Sequence, residues 1–197
     1  MGEFYAPWCG HCKTLAPKFE NLAQALEGDQ DVVLIAKVDA TKHPALAQRF
    51  EVSGYPTLKW FPAGSDRSAV PYSGGRDEAA LMTFIKQQTG IKRNLDGSLE
   101  ADAGRVGILD EIIKAANGHF NHALFTDLTN AQFQLSPAEA EFGSVYVKIA
   151  SSLAEKGDGY IASEKARLDS LLTNGSLTVN KRNAFQIKKN VLNAFVA

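Results

Sequence analysis

The sequence predicts two domains of different class, an α/β domain followed by a small all-α helical domain. Three observations favour this division. Up to Gly90, short apolar runs of strand length alternate with stretches of helical periodicity. Residues 91–103 are polar and contain glycine, as is typical of a linker. From residue 104 to residue 197 the apolar residues recur at helical spacing only.

The composition excludes several classes of protein. The 197 residues are 45% hydrophobic and 22% charged with a net charge of -1, so the chain is neither disordered nor fibrous. Charges are nearly balanced in both halves, which leaves no basic face for nucleic acid or an acidic membrane. Apolar runs such as residues 32–36 are far shorter than the ~20 residues of a transmembrane helix. We therefore expect no nucleic acid and no membrane among its partners.

The first domain opens with the end of a buried strand, Glu3–Ala6, and a helix over Lys13–Glu27 whose apolar residues have helical spacing. Helix Asp77–Gln88 closes it, and Gly90 is a suitable C-cap. Between these helices the pattern predicts a short helix over 44–50, a strand over 57–61, a turn over 62–66 and a strand near 69–72.

The second domain is predicted to contain about five helices. Their expected ranges are 106–116, 121–133, 137–156, 160–172 and 179–195. Ser136 and Glu139 form a capping box around Pro137, a strong helix-start signal. Aromatic residues recur at helical spacing and are expected in the core: Phe120, Phe125, Phe133, Phe142, Tyr146, Phe185 and Phe195. Asn174 begins a glycosylation sequon in a predicted loop.

Both cysteines of the chain lie in one motif, Cys9-Gly10-His11-Cys12, so no thiol remains for a structural disulfide elsewhere. The pair therefore serves redox chemistry or a metal. A structural zinc site needs four ligands. The only histidines available are His11, His43, His119 and His122. The last two have suitable spacing but lie in the predicted helical domain, so we expect no metal.

The surroundings of the pair favour redox chemistry. The motif lies where a strand passes into a helix, and a helix N-terminus stabilises a thiolate. Cys9, the outer residue, is the expected nucleophile, and Cys12 is expected to resolve the mixed disulfide. His11 can stabilise the Cys9 thiolate, although an exposed histidine without a role is the alternative.

The segment Phe4–Lys13, with the sequence FYAPWCGHCK, resembles the active site of the protein disulfide isomerase family, which has a thioredoxin fold. Residues 33–39 and 52–58 resemble the next strand and the proline loop of that fold, in the expected order. The resemblance extends to about Gly90. It implies that Pro56 is cis and faces the cysteines, and that Trp8, Tyr55 and Pro56 contact the substrate.

The same resemblance gives roles to three charged residues. Glu3 would lie beneath the inner cysteine and accept or relay its proton. Lys37 would be the partner of that carboxylate. Arg76 would swing toward the inner cysteine and favour its thiolate. Without the resemblance, all three would be ordinary charges at strand ends and helix starts.

A thioredoxin fold also has a strand and a helix before its central strand, whereas eight residues precede Cys9 here. The resemblance therefore implies a first domain that is incomplete at its N-terminus. We expect its first strand to lack neighbours and the sheet edge and part of the core to be exposed. Residues 146–192 resemble the helical C-terminal domain of some family members. That region contains no cysteine, so we expect it to act in binding or as a spacer rather than in catalysis.

The predicted function is that of a protein thiol–disulfide oxidoreductase or isomerase, with the Cys9–Cys12 disulfide as its redox centre and no other cofactor. The resemblance implies unfolded or misoxidised polypeptides as substrates, an upstream thiol oxidase or glutathione as redox partner, and the lumen of the endoplasmic reticulum as location. No signal peptide or lumenal retention tetrapeptide occurs in these residues. Two alternatives are a cytosolic thioredoxin-like reductase and a redox-inactive chaperone or peptide-binding module.

Overall fold

A computed structural model describes residues 1–64, 68–157, 159–173 and 175–196. The chain divides into two compact units, Met1–Ser98 and Leu99–Ala197. The first contains the sheet, and the elements described in the second are all helices, which confirms the predicted fold class. The boundary falls inside the segment expected to be a linker. Residues 91–98 pack within the first unit, where Arg93 is 1% exposed and donates to Asp29 and to the Gly97 carbonyl.

Four short strands form the sheet of the first unit. They are β1 (Gly2–Tyr5), β2 (Ala36–Asp39), β3 (Thr57–Trp60) and β4 (Val70–Pro71), in the order β2-β1-β3-β4. Strand β1 pairs in parallel with β2 and antiparallel with β3. The expectation that the first strand lacks neighbours is therefore wrong, because strands from later in the chain pair with both of its edges.

Strand β2 forms one edge of the described sheet, and an open apolar cleft of about 730 Å³ lies beside it. The cleft is lined by apolar side chains of the sheet and its neighbours, among them Phe4, Val38, Phe50, Trp60 and Phe61. Exposed apolar surface thus remains near β1 even though β1 itself is fully paired.

Three helices pack around this sheet: α1 (Gly10–Ala25), α2 (Pro44–Arg49) and α3 (Glu78–Thr89). The core includes Leu15, Phe19 and Leu22 from α1 with Leu81 and Ile85 from α3. These α1 positions are the helically spaced apolar residues of the sequence. Asp77 caps α3 through the Ala80 N–H at 2.9 Å, and Gly90 ends it with a φ of 74°, as predicted. Packing against α3 fixes the orientation of α1 and of the cysteine motif at its N-terminus.

The second unit contains α4 (Gly107–Ala115), α5 (His122–Gln132), α6 (Pro137–Lys156), α7 (Gly159–Thr173) and α8 (Val179–Ala194). All five predicted helices are present within two residues of their expected ends. The predicted capping box holds the start of α6, where the Ser136 N–H donates to the Glu139 carboxylate at 3.3 Å.

A polar network crosses the start of the helical core. The Tyr146 hydroxyl is fully buried, accepts from the Val106 N–H at 3.0 Å and donates to Asp110 at 2.6 Å. Six of the seven predicted core aromatics lie in or against this core. Phe133 is the exception, because it follows the last residue of α5 and its side chain is 84% exposed.

Within the described ranges, no helix combines the length and the apolar composition needed to cross a membrane. Asn174 of the sequon and residues 65 and 66 of the predicted turn lie outside the described residues.

Candidate active site

The cysteine motif lies where β1 passes into α1. Strand β1 ends at Tyr5, and a short loop reaches Cys9, whose N–H donates to the Ala6 carbonyl at 3.1 Å. Cys9 is the N-cap of α1: its backbone is extended and its Sγ accepts from the Cys12 N–H at 3.3 Å. A thiolate at this position receives hydrogen bonds that the first turn of a helix otherwise leaves unused. The predicted strand-to-helix position of the motif is confirmed.

The two thiols differ in what surrounds them. Both are free, and they form a small cluster with Ala6 that Tyr5 and Tyr55 pack against. Cys12 lies on the buried face of α1. Both side chains are nearly buried, Cys9 with 8% and Cys12 with 3% of its surface exposed. Cys9 is the less buried of the two, and its neighbours Trp8, Gly10 and His11 are all exposed.

The pKa values of the two thiols move in opposite directions. The hydrogen bond from the Cys12 thiol lowers the pKa of Cys9, and the backbone N–H groups of Cys12 and His11 add to that effect. Burial, followed by the same thiol hydrogen bond, raises the pKa of Cys12 to about 11. These two directions favour a proton on the inner sulfur and negative charge on the outer one.

The proline loop faces Cys9. The Tyr55–Pro56 peptide bond is cis, as the resemblance implied, and the Cys9 thiol lies 3.6 Å from the Tyr55 carbonyl oxygen. The Trp8 and Tyr55 rings meet edge to face with centroids 6.0 Å apart. Trp8 is 72% exposed, so the pair forms an open aromatic surface beside Cys9.

Arg76 joins the same loop. Its guanidinium donates to the Pro56 carbonyl at 3.1 Å and extends from an exposed position just before α3. The structure therefore places Arg76 beside the proline loop. Its charge also lowers the pKa of Glu3 as the last of several causes, which indicates a position within electrostatic range of the buried carboxylate.

Glu3 lies in β1 beneath the cysteines and is 1% exposed. Among the described residues neither carboxylate oxygen has a hydrogen-bond partner. Burial raises the pKa of Glu3. A cavity of about 150 Å³ connects it with Cys12, because both residues line it, together with Lys13, Ala16 and Lys37. A volume of this size admits water, which can carry a proton between the two groups.

Lys37 is the register partner of Glu3 in the parallel pair β1–β2. Its ammonium donates to Glu20 of α1 at 2.6 Å, and no hydrogen bond joins it to Glu3. This bond to Glu20 is the main reason that the pKa of Lys37 is raised. No sequence motif pointed to Glu20. The signal available in the sequence was its position eight residues beyond Cys12 in the same predicted helix, which favours a place on the same side of that helix.

The described residues contain no group of three or more histidine, cysteine, aspartate or glutamate side chains placed to hold a metal ion. The histidines with suitable spacing, His119 and His122, belong to the helical unit, whereas Cys9 and Cys12 belong to the first.

A helix N-terminus that carries a polarised dithiol opposite a cis-proline loop defines a dithiol domain of the thioredoxin class. Residues 1–87 match the family model Thioredoxin, and residues 104–195 match the model of the C-terminal domain of the endoplasmic reticulum protein ERp29.

Several curated proteins are similar along nearly the whole chain. Protein disulfide isomerase-like 2-2 of Oryza sativa subsp. japonica is 43% identical over 196 residues, 98% of this chain and 52% of that protein. Probable protein disulfide-isomerase A6 of Medicago sativa is 40% identical over 98% of this chain and 53% of its own length. Protein disulfide-isomerase tigA of Aspergillus niger is 40% identical over 98% and 52%. The chain belongs to the protein disulfide isomerase family and spans about half the length of these relatives.

Proposed function

We propose that this chain catalyses thiol–disulfide exchange in polypeptides, with Cys9 as the nucleophile and Cys12 as the resolving thiol. The observation that carries the proposal is the polarisation of the pair. Cys9 caps α1, its sulfur accepts from the Cys12 N–H at 3.3 Å, and local hydrogen bonds lower its pKa, whereas burial raises the pKa of the inner thiol to about 11. Two equivalent thiols would give no such preference for which sulfur attacks first.

In the reductive direction, the Cys9 thiolate attacks one sulfur of a substrate disulfide. A bond forms between the two sulfurs, the substrate disulfide breaks, and the other substrate sulfur leaves as a thiolate. Cys12 then loses its proton and attacks Cys9, which forms the Cys9–Cys12 disulfide and releases the second substrate thiolate. Isomerisation results when a thiol of the substrate resolves the mixed disulfide instead. No cofactor beyond the cysteine pair is required.

The second step needs a base, because the buried Cys12 thiol holds its proton tightly. Glu3 shares a cavity with Cys12, and its raised pKa makes it a stronger proton acceptor than an exposed carboxylate. Arg76, fixed to the Pro56 carbonyl, would stabilise the anion that forms when the proton leaves. His11, exposed beside Cys9, would stabilise the outer thiolate.

The substrate is an extended polypeptide near its cysteine. The open aromatic surface of Trp8 and Tyr55 suits apolar segments that a folded protein buries, and the loop at Pro56 presents backbone groups for pairing with a strand. We place the activity in the lumen of the endoplasmic reticulum, on the basis of the family, with an upstream thiol oxidase or glutathione as redox partner. The helical unit would bind or space polypeptides rather than react with them.

Two variants test the assignment of the thiols. Cys9→Ser removes the attacking thiolate and should abolish insulin reduction. Cys12→Ser leaves attack intact but removes release, so it should accumulate mixed disulfides that appear as reducible adducts on electrophoresis. Exchange activity that survives in Cys9→Ser, together with no trapped substrate in Cys12→Ser, would contradict the proposal.

The reduction potential separates an isomerase from a reductase. A value near about -180 mV supports an isomerase, and a value near about -270 mV supports a thioredoxin-like reductase. Equilibration of the wild-type chain with graded glutathione, followed by mass spectrometry of the Cys9–Cys12 pair, gives this number. An aggregation-suppression assay on the double variant Cys9→Ser, Cys12→Ser measures any chaperone activity that needs no thiol.

A further inference from the structure

Glu20 lies outside the dithiol site and is linked to it through one side chain. Its carboxylate accepts from the Lys37 ammonium at 2.6 Å, and Lys37 lines the cavity that Glu3 and Cys12 share. The two side chains of this ion pair are 35% and 65% exposed, for Lys37 and Glu20 respectively, so the pair lies at the solvent side of the cavity. Glu3 lies at the buried end, without a hydrogen-bond partner among the described residues.

The ammonium of Lys37 thus has two anions within range but bonds to only one of them. Strand register places Lys37 beside Glu3, and a lysine side chain is long and flexible enough to turn toward either carboxylate. The bond to Glu20 holds it outward. A buried carboxylate that formed a direct ion pair would be a weaker base, because the cation stabilises its charged form.

We propose that Glu20 is a positioning residue of the dithiol site: it holds Lys37 at the solvent side of the cavity and so keeps Glu3 free to accept the Cys12 proton. The inference deepens the proposed function and depends on it. The bond to Glu20 keeps the cation close enough to limit the cost of a charged Glu3 and prevents it from neutralising that charge directly.

The effects of the groups around the cavity on the pKa of Glu3 agree with this geometry. Burial raises the pKa of Glu3, Lys37 lowers it, and the negative charge of Glu20 raises it. The other titratable groups that face Glu3 are Cys9, Cys12 and Lys13 at the start of α1, Tyr5 on β1 and Arg76 before α3. Glu20 is the one carboxylate of α1 and the only carboxylate among these neighbours of Glu3.

The test compares Glu20→Gln with Glu27→Gln in the full chain. Glutamine keeps the shape of the side chain at an exposed position, so neither variant should unfold the protein. Glu27, in the short turn after α1, is the matched control for loss of one exposed negative charge. The readout is the titration midpoint of the Glu3 carboxyl, followed by carbon NMR on glutamate-labelled protein in the reduced state.

Glu20→Gln should shift the Glu3 midpoint to lower pH, because Glu3 becomes the one anion left for Lys37 and a nearby negative charge is gone. Glu27→Gln should leave the midpoint at its wild-type position. The acid limb of mixed-disulfide release should shift to lower pH in Glu20→Gln, and its plateau rate should fall as Glu3 becomes a weaker base.

A Lys37→Met background separates positioning from simple charge. If Glu20 acts through Lys37, Glu20→Gln should shift the Glu3 midpoint less in that background than in the wild type. An equal shift in both backgrounds, or no shift in the wild type, overturns the inference. The NMR titration needs no turnover, so this result stands apart from the cysteine variants that test the proposed function.

Discussion

Glu3→Leu should stabilise the first unit while it slows release of the substrate. The side chain is 1% exposed, and neither of its oxygens has a hydrogen-bond partner among the described residues. An unsatisfied buried polar group costs about 1–3 kcal/mol, which an apolar side chain of similar size does not incur. In a domain of this size, 1 kcal/mol corresponds to roughly 4–8 °C in Tm.

The stability gained by Glu3→Leu should increase with pH. Burial raises the pKa of Glu3 above the ordinary glutamate value of 4.5, so the folded state binds its proton more tightly than the unfolded state. The contribution of this proton to stability is complete below the unfolded pKa and is lost as the pH rises through the folded pKa. The advantage of Glu3→Leu over the wild type should therefore be smallest below pH 4.5 and grow above it, by about 1.4 kcal/mol per unit of raised pKa.

Tryptophan fluorescence during urea unfolding measures this change in the first unit alone. The chain has 2 tryptophans, and both Trp8 and Trp60 lie in that unit. Glu3→Gln keeps a polar group in the site but removes its titration, so it should lose the pH dependence without gaining the full stability. Glu27→Leu serves as the exposed control. A lower free energy of unfolding for Glu3→Leu, or a gain equal at pH 4 and pH 8, would refute the reasoning.

Two further predictions concern the helical unit. Tyr146→Phe leaves the Val106 N–H without its buried acceptor and should lower the free energy of unfolding by about 1–3 kcal/mol. Far-UV circular dichroism should show this loss as a lower Tm. An unchanged Tm would mean that water replaces the hydroxyl. The hydrogen bond from Arg167, followed by that from Lys188, lowers the pKa of Glu164 to about 2. The contribution of the Glu164 carboxylate to stability is therefore present above pH 4.5 and lost as the pH falls toward 2. Glu164→Gln should remove on the order of 1–3 kcal/mol of that acid-sensitive stability after solvent screening, and equal acid sensitivity in both proteins would argue against the ion pair.

Local signals were sufficient for most of the fold. Periodicity predicted the five helices of the second unit. The capping residues Asp77, Gly90 and Ser136 marked helix ends to within two residues. These signals act over a few residues, so a single sequence contains them. Part of the predicted linker, residues 91–98, lies within the first unit, where Asp29 accepts hydrogen bonds from the buried Arg93. A local polar pattern does not reveal such a distant partner.

The sequence by itself determined the chemistry: two cysteines in one turn at a helix N-terminus, and therefore a redox pair with an outer and an inner thiol. Only the tertiary structure decided which other groups surround that pair. The fold places the Tyr55 carbonyl against Cys9 and buries Glu3 in the cavity that Cys12 also lines. It also pairs the Lys37 ammonium with the Glu20 carboxylate. These contacts join residues 46, 9 and 17 positions apart, and the partner that a long charged side chain chooses depends on burial and competing charges. Such choices are settled by three-dimensional packing, which no sequence spacing encodes.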